Sequence, residues 1–206
     1  MIHKMKNIDQ LEEALIQAEA EKEAAGLYWK NTGDNSKFDA AYKKILILQR
    51  EIGQIQGEAF CEPLDFNLAW DIGAPLPHVV KNDYKTYLLF YLKTKESTVG
   101  CVEFIRTQKS KFGAPNDETL EGHPLFGNGL DYYEAFIVKN SDWIKSLEKI
   151  NSVHSNHNSK YYKNYNHYFF AFHDSIFECV ATGFKTEIIK GYMKDVVLEY
   201  TNKLFD

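Results

Sequence analysis

His167-Tyr-Phe-Phe-Ala-Phe-His173, Asp174-Ser175 and Ile176-Phe-Glu-Cys-Val-Ala181 form the clearest β-hairpin signal in the chain. Two runs of aromatic and β-branched residues flank a short polar pair, as a tight turn between antiparallel strands requires. With Asp174 and Ser175 as the turn, His173 falls opposite Ile176, Ala171 opposite Glu178 and Phe169 opposite Val180. Directly opposed residues share a sheet face. One face then carries His167, Phe169, Ala171, His173, Ile176, Glu178 and Val180, and the other Tyr168, Phe170, Phe172, Phe177, Cys179 and Ala181. A four-residue loop keeps this parity, whereas a three-residue loop scrambles it. The second face reads as core. The first mixes two histidines and a carboxylate with apolar residues, which suits either a half-exposed sheet or a pocket floor on which Glu178 sits near His173.

Working outward, Lys85 to Leu92 and Val99 to Arg106 read as a second strand pair joined by a polar loop, and Tyr132 to Val138 as another strand. Asn140 or Ser141 can cap a helix carrying Trp143, Ile144, Leu147 and Ile150. A closing helix is expected over 186–204, with Ile189, Tyr192, Val196, Tyr200 and Leu204 near one face. Residues 58–82, broken by Gly57, Pro63, Gly73, Pro75 and Pro77, read as a crossover. Residues 107–131 read as one long irregular loop, and such loops in compact domains tend to be functional.

The first 57 residues read as a helical hairpin. Ile8, Leu11, Leu15, Ala18, Lys22, Ala25 and Trp29 make one stripe, and Phe38, Ala41, Ile45, Leu48, Ile52 and Ile55 the next. Ser36 and Asp39 have capping-box spacing at the start of the second helix. Such a hairpin can fold back onto its own domain or form a short coiled coil that makes a homodimer or docks a partner. Strands arrive in adjacent pairs, so the expected fold is α+β: an antiparallel sheet packed with helices (58–206), preceded by an N-terminal antiparallel helical hairpin (1–57).

With 206 residues, 44% hydrophobic and 26% charged, the chain suits a globular domain plus a small appendage. Its net charge of −5 creates no bulk field for nucleic acid or an anionic membrane. No apolar run approaches the length of a membrane span, and the start lacks the apolar core of a signal peptide. Cys61, Cys101 and Cys179 are odd in number and far apart, which argues against a disulfide framework and for a cytoplasmic location. Lysines outnumber arginines 22 to 2, and Arg50 and Arg106 are the only bidentate forks.

Three places could carry chemistry. His123 lies in Glu121-Gly-His-Pro-Leu-Phe-Gly-Asn-Gly129, where glycines let backbone amides face an anion; it could equally cap a backbone group. His173 and Glu178 lie on the mixed hairpin face, with Glu178 placed to set the tautomer of His173. Arg106 could clamp an anion or pair with Glu103, Glu134 or Glu178. Candidate catalytic residues are therefore His123, His173 and Glu178, and candidate contacts to a small anionic ligand are Arg106, Gly122, Asn128 and His167. His154 and His157, with His167 beyond, give no ligand set that would define a metal site. The Tyr161, Tyr162, Lys163, Tyr165 run reads as a packed loop, and Cys179 as core. Neither a dinucleotide fingerprint nor a P-loop, nucleophile elbow or zinc-protease motif occurs, so no cofactor is expected.

Phe112-Gly-Ala-Pro-Asn-Asp-Glu118, Gly122-His-Pro-Leu125 and the 167–179 hairpin resemble segments of a group of uncharacterised bacterial proteins, sharing a domain of unknown function. The resemblance spans about residues 66–184, excludes the N-terminal helical hairpin, and implies a bacterial source without assigning an activity. The expected role is a non-enzymatic protein-binding or regulatory factor of the toxin-neutralising or accessory type. The alternative is a hydrolase-like or ligand-processing enzyme with a His/Glu/Arg pocket between the 107–131 loop and the 167–181 hairpin.

Overall fold

A computed structural model describes residues 7–94 and 97–206. The fold is α+β: a helical pair, α1 (Ile8–Thr32) and α2 (Ser36–Gln56), precedes two antiparallel sheets with further helices. The first sheet has the order β1-β6-β7-β8-β5, from Phe60–Pro63, Ala135–Lys139, Asn166–Ala171, Ile176–Ala181 and Lys109–Gly113. The second has the order β2-β3-β4-β9, from His78–Lys81, Thr86–Tyr91, Thr98–Ile105 and Gly183–Lys190. Helices α3 (Asp142–Asn151), α4 (Ser159–Tyr162) and α5 (Met193–Asn202) complete the chain.

The sequence suggested one sheet; the protein has two, packed face to face. Tyr168, Phe170, Phe172, Phe177, Cys179 and Ala181 on one sheet meet Leu88, Phe90, Leu92, Val102 and Phe104 on the other. Rings interlock across the gap, with Phe104 at 6.0 Å from Phe170 and Phe90 at 5.6 Å from Phe172. These are the alternate residues of each strand, as the two-residue period of a strand requires. Helix α5 covers the far side of the four-stranded sheet through Met193, Val196 and Tyr200.

Several elements depart from the sequence reading. The closing helix is shorter than expected, because Gly183–Lys190 is a strand along β4, from Ile105↔Gly183 to Thr98↔Lys190. Ile189 and Tyr192 happen to continue the helical spacing of Val196 and Tyr200. The β-branched Thr186, Ile188 and Ile189 instead find ladder partners, and Gly191 (φ 148°) makes the turn into α5. The 107–131 stretch is not structureless: it holds β5 and a 3-10 turn at Asp117–Gly122. The crossover contains β1 and β2, and the 154–166 loop contains α4. Ser36 is the first residue of α2 rather than its cap; Asn35 precedes it, and Asp34 Oδ1 accepts from the Ser36 amide.

The hairpin folds back on the core. Leu11, Ala18, Ile45 and Leu48 join the helices. Arg50 donates from Nε to the Cys61 carbonyl at 2.8 Å and from a terminal nitrogen to the Gly129 carbonyl at 2.9 Å. Tyr42 donates to Asp131 at 2.9 Å, and the Gly129 amide donates to Gln49 at 3.2 Å. Gly129 has φ 82°, and a Cβ there would lie 2.8 Å from the Cys61 carbonyl oxygen, so only glycine fits beneath Arg50. The arginine that organises this fold is thus Arg50, which the sequence reading passed over in favour of Arg106.

Candidate functional site

The 167–181 hairpin sets the site. Its register is Ala171↔Ile176, Phe169↔Glu178 and His167↔Val180, with residues 172–175 as a four-residue loop. This is two residues removed from a turn at Asp174-Ser175, so the face assignment survives and the partners change. Glu178 is not beside His173. It faces Lys111 of β5 on one side and Phe169 on the other, diagonal to His167.

This face is buried, not half-exposed. Leu120, Leu125 and Leu130 cover one end over Phe136, Phe169 and Ile176. Trp143, Ile144, Leu147, Tyr162 and Tyr165 cover the other over Val180. His167 and Glu178 lie on the same face, 4% and 5% exposed.

A chain of polar groups runs through this layer. Ser141 Oγ and His167 Nδ1 are 2.9 Å apart, and His167 Nε2 and Glu178 Oε2 are 2.9 Å apart. Lys111 Nζ reaches Glu178 Oε1 at 3.1 Å and lies 4.0 Å from the centre of the Trp143 ring. Trp143 in turn meets His167 edge to face at 5.0 Å. Ser141 also caps α3, accepting from the Ile144 amide at 3.3 Å. The neutral ring consistent with these contacts carries its proton on Nε2, donates it to Glu178, and accepts from the Ser141 hydroxyl at Nδ1. Burial works to raise the Glu178 carboxyl, but the His167 hydrogen bond and the positive charge of Lys111 outweigh it and hold the group below the ordinary carboxylate range.

His123 packs over Phe169 at 5.1 Å, ring edge to ring face, and its Nδ1 accepts from the Leu125 amide at 3.2 Å. The backbone-capping role is therefore the one it fills, which places its proton on Nε2 when neutral. Burial lowers its imidazole below the usual value, against the opposing pull of Glu178. His123, His167 and Glu178 thus share one layer.

The other sequence candidates lie elsewhere. His173 sits at the end of the hairpin, where Nδ1 pairs with Asp174 at 2.9 Å and Nε2 lies 3.7 Å from Asp117. Tyr133 stacks on it and donates to Asp117. Arg106, at φ 52°, is exposed in the turn that carries the chain from one sheet to the other, whereas Lys111 and His167 hold Glu178. Gly122 ends the 3-10 turn. Asn128 locks its loop to β1 by accepting from the Cys61 amide at 2.8 Å. His157 Nδ1 contacts Asn151 at 3.1 Å, and His154 accepts from the Asn156 amide. Among the described residues, no group of three or more His, Cys, Asp or Glu side chains is disposed to hold a metal ion. Of the tyrosine run, Tyr162 and Tyr165 are buried, whereas Tyr161 is 50% exposed and Lys163 is exposed; Cys179 is core, with burial pushing its thiol up to about 12.

Three residues of this cluster, buried Ser141, part-buried Trp143 and exposed Lys111, are not marked as partners of His167 or Glu178 by local sequence. Ser141 was legible as a helix cap but not as a partner of His167, 26 residues away. Lys111 lies in a short edge strand without a clear pattern, and Trp143 looked like an ordinary apolar helix residue.

His173 yields a direct prediction. The Asp174 hydrogen bond, then the Asp117 charge, raise its imidazole above the ordinary value. In NMR titrations of the ring protons, Asp174→Asn should move its midpoint to lower pH. The associated stability is complete below the ordinary imidazole range and lost as pH rises through the folded value. An unchanged midpoint in Asp174→Asn would show that the pair is not formed in solution.

Comparison of the chain with protein-family models, with curated proteins and with solved structures finds no match. Among the described residues, no helix is long and apolar enough to cross a membrane.

Proposed function

We propose that the protein is a protein-binding or regulatory factor of the toxin-neutralising or accessory type, acting in a bacterial cytoplasm, with the helical hairpin as its recognition surface. The supporting observation is a pair of exposed large apolar side chains on one face of α1. Ile16 is 68% and Leu27 65% exposed, while the opposite face buries Leu11, Ala18 and Ala25. Eleven residues is close to three turns, so Ile16 and Leu27 share one outward face. Ile47 and Ile55 on α2 are also exposed. Ala24, Ala25, Ala40 and Ala41 line a shallow groove of about 520 Å³ between the helices, bordered by Glu21, Lys37 and Lys44. Single exposed apolar residues are ordinary; Ile16, Leu27, Ile47 and Ile55 together on one docked hairpin suit a partner helix.

The test pairs the full chain with its Ile16→Asp/Leu27→Asp variant. Both changes are at exposed positions and should alter stability by no more than about 0.5 kcal/mol each. A partner recovered by the full chain, and reconstituted with purified components, should bind the variant about 30-fold or more weakly if the pair is a hot spot. Equal binding by both proteins would remove the hairpin from the recognition surface. A concentration-dependent doubling of mass by light scattering, abolished in the variant, would identify the partner as a second copy. The enzymatic alternative built on proton exchange between His123 and His173 draws less support, since His173 bonds to Asp174 and lies outside the buried layer.

A further inference from the structure

The Ser141–His167–Glu178 chain is more elaborate than a helix cap needs. Capping α3 requires only that Ser141 Oγ accept from the Ile144 amide. The fold nevertheless buries a histidine and a carboxylate behind that hydroxyl, both less than a tenth exposed. Burying an ionised carboxylate is costly, and an apolar pair would pack in the same layer without that cost. Ser141 stands at a strand-to-helix turn: β6 ends at Lys139, Asn140 takes the left-handed conformation at φ 51°, and α3 begins at Asp142. Ser141 is itself only 5% exposed, and it lies at the wall of an open groove of about 670 Å³ lined also by Asn140, Lys145, Tyr162, Tyr165 and Asn166.

We propose that Ser141 is a nucleophile activated by His167 and Glu178, and that the groove beside α3 takes a carboxylic ester or other activated acyl compound. With His167 neutral and its proton on Nε2, the hydroxyl 2.9 Å away donates to Nδ1, so its proton has an acceptor when Oγ attacks an acyl carbon. Glu178 on Nε2 fixes the tautomer and stabilises the imidazolium that results, while Lys111 keeps the carboxylate ionised. As Oγ bonds to the acyl carbon, the carbonyl π pair moves onto oxygen. The amides of Asp142 and Trp143, in the first turn of α3, have no intrahelical carbonyl to serve and are the donors assigned to that oxyanion. The bond to the leaving group then breaks, and the leaving group takes the proton from Nδ1. Water cleaves the acyl-Ser141 ester by the same proton route, releasing a carboxylic acid and restoring the hydroxyl. His167 is the general base here, and Glu178 acts through it as a positioning residue. This chemistry is independent of recognition through the hairpin.

The test uses the full chain with a fluorophosphonate probe and p-nitrophenyl acetate. The wild-type protein should form a one-to-one covalent adduct by intact mass, mapped to the Ser141 peptide, and should release nitrophenolate. Ser141→Asn keeps a capping side chain but removes the nucleophile, and should abolish both signals while its helical circular dichroism persists. Glu178→Gln should slow labelling by about 100-fold or more, the scale of general-base assistance, and His167→Gln by at least as much. Ser152→Ala, with its hydroxyl on the Lys149 carbonyl at 2.7 Å, should label like wild type. No adduct on the folded wild-type protein, or an adduct that maps elsewhere, would overturn the assignment and leave Ser141 as a cap. Adduct mapping on the wild type decides the matter even if a variant fails to fold.

Discussion

Replacing Glu178 with alanine is expected to lower the unfolding free energy by about 1–3 kcal/mol, the range for leaving a buried polar partner without its hydrogen bond. The carboxylate accepts from His167 Nε2 at 2.9 Å and from Lys111 Nζ at 3.1 Å, in a layer roofed by Trp143 and sealed by neighbouring apolar groups. Without it, the buried His167 N–H has no acceptor. Glu178→Gln keeps the shape and one oxygen, and should lose less. Reversible urea unfolding with coincident fluorescence and circular dichroism transitions measures both. A loss below about 1 kcal/mol for the alanine variant would mean that the pair is not desolvated as described.

The same group sets an acid limb. Its carboxyl is held below the ordinary range when folded, so the unfolded chain binds the extra proton first as pH falls. The stabilisation is present above the unfolded carboxylate value and disappears as pH drops through the folded one. Glu178→Gln should therefore flatten the stability profile at acid pH.

The second large effect is expected at Phe170, where truncation to alanine should cost about 3–5 kcal/mol. Its ring is fully buried at the meeting of the sheets, touching Phe66 edge to face at 5.3 Å, Phe104 at 6.0 Å and Phe177 at 6.2 Å. Phe66 is itself held by Trp70, Phe90 and Phe184, and Phe104 by Phe177 and Phe184, so the cavity has little room to collapse. Phe112 of edge strand β5 is 47% exposed, and its truncation should cost far less. Equal losses at the two positions would contradict the placement of the core between the sheets.

The legible parts of the chain are those whose identity rests on neighbours in sequence. The α1 and α2 stripes, the β3–β4 and β7–β8 pairs, and the core face of Tyr168, Phe170, Phe172, Phe177, Cys179 and Ala181 are periodic signals within a dozen or so residues. The missed strands are short or lie at sheet edges. β1 and β2 have four residues each, β5 five, and β9 leaves most of its length exposed. Their conformation is chosen by ladder partners far along the chain, as when Lys109–Gly113 pairs with Ile176–Val180. Local pattern carries no record of that choice.

The candidate site divides in the same way. His123, His167 and Glu178 were identifiable as polar groups in apolar or glycine-rich surroundings, and parity put two of them on one face. Which histidine Glu178 meets depended on a four-residue loop in place of a two-residue turn, and that shift exchanged His173 for His167. By itself, the sequence determined the helical hairpin, the antiparallel α+β class and the sidedness of the central strands, because those follow from periods of 3.6 and 2 residues. Only the tertiary structure decided that there are two sheets, that Arg50 docks the hairpin, and that Ser141, His167, Glu178 and Lys111 form one chain. Those contacts join residues 11 to 79 positions apart, and burial becomes visible only when the layers that exclude water have been assembled.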